Sequence, residues 1–281
     1  MHFSDHLKKT TFKCLHFITN NAVLNVAIDN GEINLLDRVL LKDLYQLHKI
    51  LMQSDDIKVV VFRSANTEFF IAHADINMIM AMKDAQQPDG KIISPMQKIF
   101  ENYSQLPQVT IAEIDGITRG GGSEFVLALD MRFATLENAT LAQPEAALGI
   151  IAGAGGCNRL PPLVGKARAL EILLGCEDFD AATAERYGYI NRALSTDNIA
   201  SFVDKLAQQI ASFPRQALIA TKQQINNACA IDPLALANEY EQMYRCAVAD
   251  TTQHNMAKAL SLGMQTKEAE LQSLLNITKQ L

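Results

Sequence analysis

Short β-prone runs alternate with helical patterns over the first two thirds of this chain. Residues 59–62 form a continuous apolar run, which is typical of a strand buried on both faces. Leu40, Leu44, Leu47 and Leu51 precede it at helical spacing and place one apolar stripe on a helix. Repetition of this order predicts βαβ units and an α/β fold. The other predicted elements are strands over residues 22–29, 109–114 and 131–136 and helices over residues 93–103, 122–129 and 166–174.

The pattern changes after Leu194, where only helical periodicity follows. The first helix of this region carries an apolar stripe and stops at Pro214, because proline cannot continue a helix. Asp232 and Pro233 open another helix as its N-cap and first helical residue. The apolar stripe of that helix consists of Leu236, Tyr240, Met243 and Ala247. The residues predict a helical module that either covers the core or packs against neighbouring subunits.

Composition and charge argue against several classes of protein. The 281 residues carry a net charge of −6, which does not suit the broad basic surface that nucleic-acid binding requires. No run approaches the roughly 18 consecutive apolar residues of a spanning helix, so we expect a cytoplasmic protein without a membrane partner. The five cysteines form no CxxC pair and the six histidines form no HExxH spacing, so we expect neither disulfides nor a metal site.

A run of three glycines, residues 120–122, lies between a predicted strand and a predicted helix and is followed by Ser123 and Glu124. Glycine lets a ligand approach the main chain closely, and unpaired N–H groups at a helix start stabilise an oxyanion. A tight turn with a glutamate near the helix N-terminus explains the same residues without a ligand. The run alone therefore favours the structural interpretation.

A second glutamate, Glu145, follows Gln143 and Pro144 and precedes another glycine-rich loop at residues 153–156. The loop is compatible with a ligand but lacks the GK[ST] ending of a phosphate-binding loop. Two carboxyl groups beside glycine-rich turns suit acid–base chemistry, in which one activates water and the other exchanges a proton. A solvated surface glutamate is the alternative for Glu145.

Taken together, these motifs resemble a known family. Residues 111–174 resemble the signature region of the crotonase superfamily, which includes the enoyl-CoA hydratases and isomerases. Residues 69–76, FFIAHADI, resemble the family's F-x-A-G-A-D-[LI] segment, and residues 33–37, INLLD, resemble its substrate-side N-terminal segment. The resemblance spans roughly residues 20–195.

The resemblance implies an α/β fold with a spiral core of ββα turns over residues 1–195 and the active site within it. It also implies a C-terminal α-helical region, residues 196–281, that covers the pocket and assembles a homotrimer or a homohexamer. In the family the backbone N–H groups at Ala74 and Gly121 form the oxyanion hole, while Glu124 activates water and Glu145 delivers a proton. The substrate-binding positions that it implies are Ala72, His73, Asp75, Ile76 and Gly120.

Several positions depart from the family pattern. His73 replaces a glycine, and either narrows the pocket and supplies a polar group or is simply packed. Arg119 replaces a small or apolar residue, and either meets an acidic acyl group or pairs with Glu113 or Asp115, of which we favour the pairing. Asn77 stands where some members have a CoA-binding lysine, and the C-terminal F-x-x-K-R motif is missing. Lys258 or Lys267 then either contacts a CoA phosphate or lies on a solvated helix face.

The expected function is hydration of a trans-2-enoyl-CoA thioester, with coenzyme A as part of the substrate and no separate cofactor. An acyl-CoA isomerase or thioester hydrolase on the same fold is an alternative, which would use Glu145 mainly. A catalytically weak acyl-CoA-binding protein is another, suggested by the altered CoA contacts and by His73.

Overall fold

The computed structural model describes residues 2–281, which form a mixed α/β structure. The strands are β1 (Leu15–Asn20), β2 (Val23–Ile28), β3 (Val59–Ser64), β4 (Phe69–Ile71), β5 (Val109–Ile114), β6 (Ile117–Arg119), β7 (Met131–Thr135), β8 (Thr140–Ala142), β9 (Phe179–Asp180) and β10 (Arg192–Leu194). The helices of the first two thirds are α1 (Phe3–Leu7), α2 (Arg38–Leu51), α3 (Ile76–Met80), α4 (Pro95–Ser104), α5 (Gly120–Leu127), α6 (Glu145–Leu148), α7 (Gly156–Val164), α8 (Lys166–Gly175) and α9 (Ala181–Tyr187), with a 3-10 turn at Ala81–Asp84. The C-terminal helices are α10 (Thr196–Ser212), α11 (Arg215–Ala228), α12 (Pro233–Ala247), α13 (Asp250–Ser261), α14 (Lys267–Glu270) and α15 (Leu275–Thr278).

The strands of residues 2–281 form two sheets, with the orders β1-β2-β3-β5-β7-β10 and β4-β6-β8-β9. Neighbouring strands are parallel except for the pairs β1 with β2 and β8 with β9. From β3 to β8, each turn of the chain places one strand in the larger sheet and the next in the smaller sheet, then returns through helices, and β9 adds an edge strand to the smaller sheet before β10 completes the larger one. This progression confirms the predicted α/β class and the spiral of ββα turns.

Strand β3 shows why the larger sheet is buried on both faces. Side chains of a strand alternate between faces, so Val60 and Phe62 enter the main core while Val59 and Val61 point the other way. The second face is covered by α10, whose Val203 belongs to the same apolar cluster as Val59 and Val61. The prediction of a doubly buried strand is confirmed, and the first helix of the C-terminal region covers the core of its own chain.

An aromatic cluster fixes α5, the helix that follows the three glycines. Phe125 packs edge-on against Phe62 and Tyr103, with ring centroids 5.3 Å and 5.5 Å away. The Tyr103 hydroxyl donates to the carbonyl of Leu44 at 2.7 Å, so its polar end is satisfied. This cluster couples α5 to α2, α4 and β3.

The predicted strands and helices of the larger sheet and its flanking layer are confirmed within a few residues, and helices alone follow residue 194. The sequence interpretation missed β1 and β10, the two edge strands of the larger sheet, and every strand of the smaller sheet. It also started the helix after the three glycines at residue 122, whereas α5 begins at Gly120. Across residues 2–281, every helix is too short or too polar to cross a membrane. The division at residue 195 stays a prediction.

Asn34 ties the loop before α2 to the sheets. It is fully buried in the left-handed region, with φ of +48°. Its amide donates to Ser64 Oγ at 2.8 Å and to the Phe69 carbonyl at 3.1 Å, and its oxygen accepts from the Asn30 N–H at 2.7 Å. These bonds hold the following residue pair, Leu35 and Leu36, against the strand that leads to the candidate site.

We expect Asn34→Ala to lower the free energy of unfolding by about 1–3 kcal/mol more than Asn21→Ala does. The reason is that loss of the Asn34 amide leaves its buried hydrogen-bond partners unpaired. Asn21 is the matched control because it also has a positive φ, +53°, but is exposed. Both substitutions therefore introduce similar backbone strain. Chemical denaturation measures the difference, and equal losses would contradict a role for the Asn34 side chain.

Candidate active site

The turn at residues 120–122 brings α5 against β4 at a distance that only glycine permits. A Cβ on Gly122 would lie 2.4 Å from the carbonyl oxygen of Ile71. Gly120 has φ of +49°, and a Cβ there would lie 2.9 Å from Glu145 Oε1. The glycines are therefore required by close packing of the helix start against the strand and against Glu145.

Ala74 and Gly121, the predicted oxyanion-hole residues, lie side by side. Ala74 forms a parallel β-bridge with Leu36. The Leu36 N–H donates to the His73 carbonyl at 2.9 Å, and the Asp75 N–H donates to the Leu36 carbonyl at 3.2 Å. In such a bridge the N–H of Ala74 itself points away from Leu36. A Cβ on Gly121 would lie 3.4 Å from that nitrogen. The N–H of Gly121 belongs to the first turn of α5, where helices leave N–H groups unpaired.

Glu124 lies one turn further along α5, and its side chain is only 3% exposed. Its Oε1 accepts hydrogen bonds from the N–H groups of Ala154 and Gly156 at 2.7 Å and 2.8 Å. The glycine-rich loop at residues 153–156, which we interpreted as compatible with a ligand, thus binds a carboxyl group of its own chain. Backbone N–H donors at this distance stabilise the ionised form of a carboxyl group.

Glu145 begins α6, separated by two residues from the end of β8, and its carboxyl group lies against Gly120. Gln143, in the amide orientation that satisfies its neighbours, donates to Glu145 Oε2 at 3.1 Å and accepts from Ser123 Oγ at 3.3 Å. Gly149, with φ of +90°, ends the short helix. Glu145 is therefore held by the helix start below it and by an amide beside it, and is not a freely solvated surface side chain.

A third carboxyl group, Glu239, was not predicted. It comes from α12, is 5% exposed, and accepts hydrogen bonds from Gly155 N–H and from Asn158 Nδ2, both at 2.6 Å. The sequence contained a signal for it, because Glu239 lies three residues after Leu236 on the apolar stripe of the helix. A charged residue at a core position indicates a buried polar partner.

Burial raises the proton affinity of all three carboxyl groups, and neighbouring carboxylates add to the effect at Glu124 and Glu145. Burial raises the pKa of Glu124 well above its usual value, with further increases from the charges of Glu145 and Glu239, while the Gly156 and Ala154 N–H groups oppose the shift. Burial raises the pKa of Glu145 to about 7. Burial also raises the pKa of Glu239, against its hydrogen bonds from Asn158 and Gly155. Because the groups interact, the cluster retains a proton near neutral pH, as a pair of acid and base requires.

Glu124 and Glu145 open onto a cavity of about 310 Å³. Its polar lining includes Glu124 and Glu145 beside the backbone of Ala74 and Gly121, and its apolar lining includes Met78, Met82, Met96, Ile151 and Met243. A second cavity of about 30 Å³ adjoins it and shares Ala74, Gly121 and Glu145. Glu145 and the two backbone positions thus lie where the cavities meet, while Glu124 lines the larger cavity only, so a ligand must occupy the larger cavity to reach both glutamates.

Three of the five predicted substrate-binding residues line a cavity, and the other two make hydrogen bonds within the protein. His73, Ile76 and Gly120 line the smaller cavity. Ala72 is buried and donates its N–H to the Ile33 carbonyl at 3.1 Å. Asp75 caps α3 and accepts from Asn77 N–H at 2.9 Å and from Gln265 Nε2 at 3.1 Å. The binding roles of all five residues stay predictions.

The predicted pairing of Arg119 with Glu113 or Asp115 is wrong. Arg119 does form an ion pair within the chain, as favoured, but with a different carboxylate. Arg119 is buried and donates from Nε and Nη2 to Asp178 at 2.7 Å and 2.8 Å. Glu113 instead pairs with Arg63. The reason is that Arg119 ends β6 in the smaller sheet, while Glu113 belongs to β5 in the larger one.

The two lysines proposed for a CoA phosphate each have a partner within the chain. Lys258 donates to the carbonyl of Gln280, and Lys267 pairs with Glu68. Within residues 2–281, no group of three or more histidine, cysteine, aspartate or glutamate side chains has an arrangement suited to a metal ion.

Comparison with known proteins gives consistent matches. Residues 18–267 match the family model described as enoyl-CoA hydratase/isomerase. The chain is 30% identical to a short-chain-enoyl-CoA hydratase of Clostridium acetobutylicum, over 76% of this chain and 81% of that protein. It is 30% identical to an enoyl-CoA isomerase/hydratase of Mycosarcoma maydis, over 75% of this chain and 79% of that protein. A Streptomyces avermitilis crystal structure, provisionally assigned as an enoyl-CoA hydratase, matches with a TM-score of 0.89 at 34% identity, over 97% of this chain and 98% of that one.

We expect Glu239→Gln to stabilise the protein more at about pH 8 than at about pH 5. Because burial raises the pKa of Glu239 in the folded state, the folded protein binds this proton more tightly than the unfolded chain does. The free energy of unfolding therefore falls as the pH rises above the ordinary glutamate pKa, and glutamine removes this loss. Denaturation at both pH values measures the effect.

The exposed Glu185 provides the matched control, because Glu185→Gln makes the same chemical change at a solvated position. If Glu239→Gln behaved like Glu185→Gln, the raised proton affinity of Glu239 would be refuted.

Proposed function

This chain belongs to the enoyl-CoA hydratase/isomerase family, and we propose that it adds water to the double bond of a trans-2-enoyl-CoA thioester. The observation that carries this proposal is the opening of two carboxyl groups, Glu124 and Glu145, onto one cavity beside the backbone of Ala74 and Gly121. Hydration needs a base and an acid on the two carbons of one double bond, and a donor pair at the adjacent carbonyl. Glu124 and Glu145 are candidates for the base and the acid, and the N–H groups of Ala74 and Gly121 are candidates for the donor pair.

In the proposed mechanism, the thioester oxygen accepts hydrogen bonds from the N–H groups of Ala74 and Gly121. Attack of water on the β-carbon moves negative charge onto this oxygen, and an enolate forms. Donors fixed in advance stabilise that charge without reorganising during the reaction, which lowers the barrier. The positive end of the α5 dipole behind Gly121 adds to the effect.

Glu124 orients the water and accepts its proton, and Glu145 delivers a proton to the α-carbon. The pair must start with one proton and end with one, so the reaction returns the site to its initial charge. The raised pKa of Glu145, about 7, suits a group that gives up a proton near neutral pH. Burial and the charges of Glu145 and Glu239 raise the pKa of Glu124, and the N–H groups of Ala154 and Gly156 oppose that shift and so favour the ionised form that the base role requires.

The substrate of this mechanism is an acyl-CoA thioester, and water is the only other reactant. Hydration transfers no electrons, so it requires no redox cofactor, and the backbone donors at Ala74 and Gly121 supply the stabilisation at the carbonyl oxygen that a Lewis acid would otherwise give. The methionine-rich lining of the larger cavity suits an apolar acyl chain, because methionine side chains adapt to irregular shapes.

Isomerisation of an enoyl-CoA double bond is the second candidate, favoured by one observation. Glu145 alone, with its pKa near 7, could move a proton between the α- and γ-carbons, leaving Glu124 as a hydrogen-bonding support. Its Mycosarcoma maydis relative is named as both an isomerase and a hydratase.

We expect Glu124→Gln and Glu145→Gln each to lower kcat for hydration by about 10²–10⁴, because each removes a proton-transfer group. Glutamine keeps the size and hydrogen-bonding capacity, so KM should change little. The double variant should lose much less than the product of the two effects, since residues that act as a unit are not additive. Steady-state kinetics on enoyl-CoA esters of several chain lengths measures all three variants.

For an isomerase, Glu145→Gln would be severe and Glu124→Gln mild. If neither variant changed turnover of any CoA ester by more than a few-fold, both catalytic assignments would be wrong and the chain would bind acyl-CoA without acting through these groups.

We further expect Gly121→Pro to lose at least about 10²–10³ in kcat relative to Gly121→Ala, because proline removes the N–H that the oxyanion requires. Alanine is the matched control: it adds the same Cβ, 2.9 Å from Ala74 Cβ, but keeps the N–H. Proline is tolerated in the first turn of a helix, so circular dichroism should show both variants folded. Equal activity of the two variants would exclude Gly121 as an oxyanion donor.

A further inference from the structure

His73 makes two hydrogen bonds that together define its charge. Its Nδ1 lies 2.8 Å from the carbonyl oxygen of Ala74, and its Nε2 lies 2.9 Å from Glu270 Oε1. Both partners are acceptors, and a neutral imidazole has only one N–H. Although burial opposes the shift, the charge and hydrogen bond of His73 lower the pKa of Glu270, so Glu270 is ionised and can only accept. Both bonds then form at once only when the ring is an imidazolium, which places a positive charge at His73.

Glu270 provides the counter-charge from the C-terminal end of the chain. It ends α14, is fully buried, and accepts a further hydrogen bond from Gln265 N–H at 2.9 Å. Its other oxygen, Oε2, has no hydrogen-bond partner and lies 3.5 Å from Arg119 Nη1. A buried carboxylate with so few donors depends on neighbouring cations, which are His73 and Arg119.

Arg119 anchors the same segment by its backbone. It donates to the carbonyls of Glu270 and Gln272 at 2.8 Å and 3.0 Å, while Asp178 neutralises its charge. Arg119 therefore holds Glu270 in place, and His73 is the cation that Glu270 contacts most closely.

His73 lies between the two parts of the candidate site. It immediately precedes Ala74, and its Nδ1 bond fixes the Ala74 carbonyl. A Cβ on Gly120 would lie 3.4 Å from His73 Cβ and 2.9 Å from Glu145 Oε1, so the histidine and the glutamate flank the same glycine. Both also line the smaller cavity, together with Met264 from the C-terminal segment.

We propose that the His73–Glu270 ion pair is a positioning element of the active site, in which the His73 imidazolium holds the Ala74 backbone and supplies positive charge beside Glu145. The inference rests on the proposed function, since it assigns a purpose to the charge next to the proposed acid. Glu270 thereby links the C-terminal segment to the candidate site. Its carboxylate keeps His73 charged, and His73 in turn fixes the Ala74 carbonyl and lowers the pKa of Glu145.

The electrostatics of the neighbouring groups agree with this assignment. Burial lowers the pKa of His73, but the charge and hydrogen bond of Glu270 raise it more, leaving the pKa above its ordinary value. Arg119 opposes this increase. The positive charge of His73 in turn lowers the pKa of Glu145, against the increases caused by burial and by Glu239. Removing the histidine charge should therefore raise the pKa of Glu145.

The first arm of the test measures the protonation state of His73 directly and does not depend on enzyme activity. Nitrogen-15 NMR of the histidine rings, with His73 assigned by its loss in His73→Gln, should show both ring nitrogens protonated at neutral pH. In Glu270→Gln the same ring should lose a proton at a lower pH. A neutral His73 ring at pH 7 in the parent protein would overturn the proposal.

The second arm measures the pH profile of kcat/KM. If Glu145 must be protonated, activity falls as the pH rises through its pKa, and His73→Gln should move this fall upward by on the order of 1 pH unit. Met264→Ala is the control, because it alters the same cavity wall without changing a charge and should leave the midpoint in place. Equal midpoints in His73→Gln and the parent would reduce His73 to a packing residue and overturn the proposal.

The two arms separate this inference from the proposed function. Absence of turnover with every CoA ester would refute the proposed function and the role of His73 with it, whatever the NMR arm shows. Turnover with an unshifted pH profile would refute the role of His73 alone.

Discussion

The candidate active site depends on keeping carboxyl groups away from bulk water without leaving them unpaired. A carboxylate that loses its hydration is costly unless hydrogen bonds or opposite charges replace the water. The glycine-rich loop supplies these bonds through consecutive backbone N–H groups, of which Ala154 and Gly156 face Glu124 and Gly155 faces Glu239. One short stretch of main chain therefore fixes two glutamates from different helices and sets the electrostatic environment of the third, Glu145.

The same requirement explains why the C-terminal helices belong to the site's architecture. Glu239 comes from α12 and Glu270 from α14, and each reaches a group of the spiral core: the glycine-rich loop for Glu239 and His73 for Glu270. Tyr240 and Met243 of α12 add to the lining of the larger cavity. A change in the packing of these helices would alter both the shape of the cavity and the charges around it.

The sequence predicted the four inner strands of the larger sheet, β2, β3, β5 and β7, because they have five or six residues and buried apolar side chains, as residues 59–62 illustrate. The smaller sheet left no such signal, since its strands have two or three residues, too few to show a period of two. Ala74, Gly121, Glu124 and Glu145 were identified by family resemblance, and the fold brings them together around one cavity. Spacing along the chain could not have done so, because Ala74 and Gly121 meet only through pairing of separate β-strands.

The partners of charged side chains were the least predictable feature. Arg119 pairs with Asp178 and not with either carboxylate nearer in sequence, and His73 pairs with Glu270, which lies 197 residues away. Such pairs are set by the three-dimensional packing of separate elements, about which local sequence carries little information. The apolar stripe of α12 did contain a misplaced charge, Glu239, and this is the kind of signal that could have revealed the third carboxyl group.

The central claim is that the site adds water across the double bond of an enoyl thioester. Incubation of the protein with a trans-2-enoyl-CoA ester in deuterated water tests it most directly, with mass spectrometry and NMR of the product. The account predicts a 3-hydroxyacyl-CoA with one deuterium at the α-carbon, delivered from the exchanged Glu145 carboxyl group. A product with a shifted double bond and no added water, or the free acid, would contradict it.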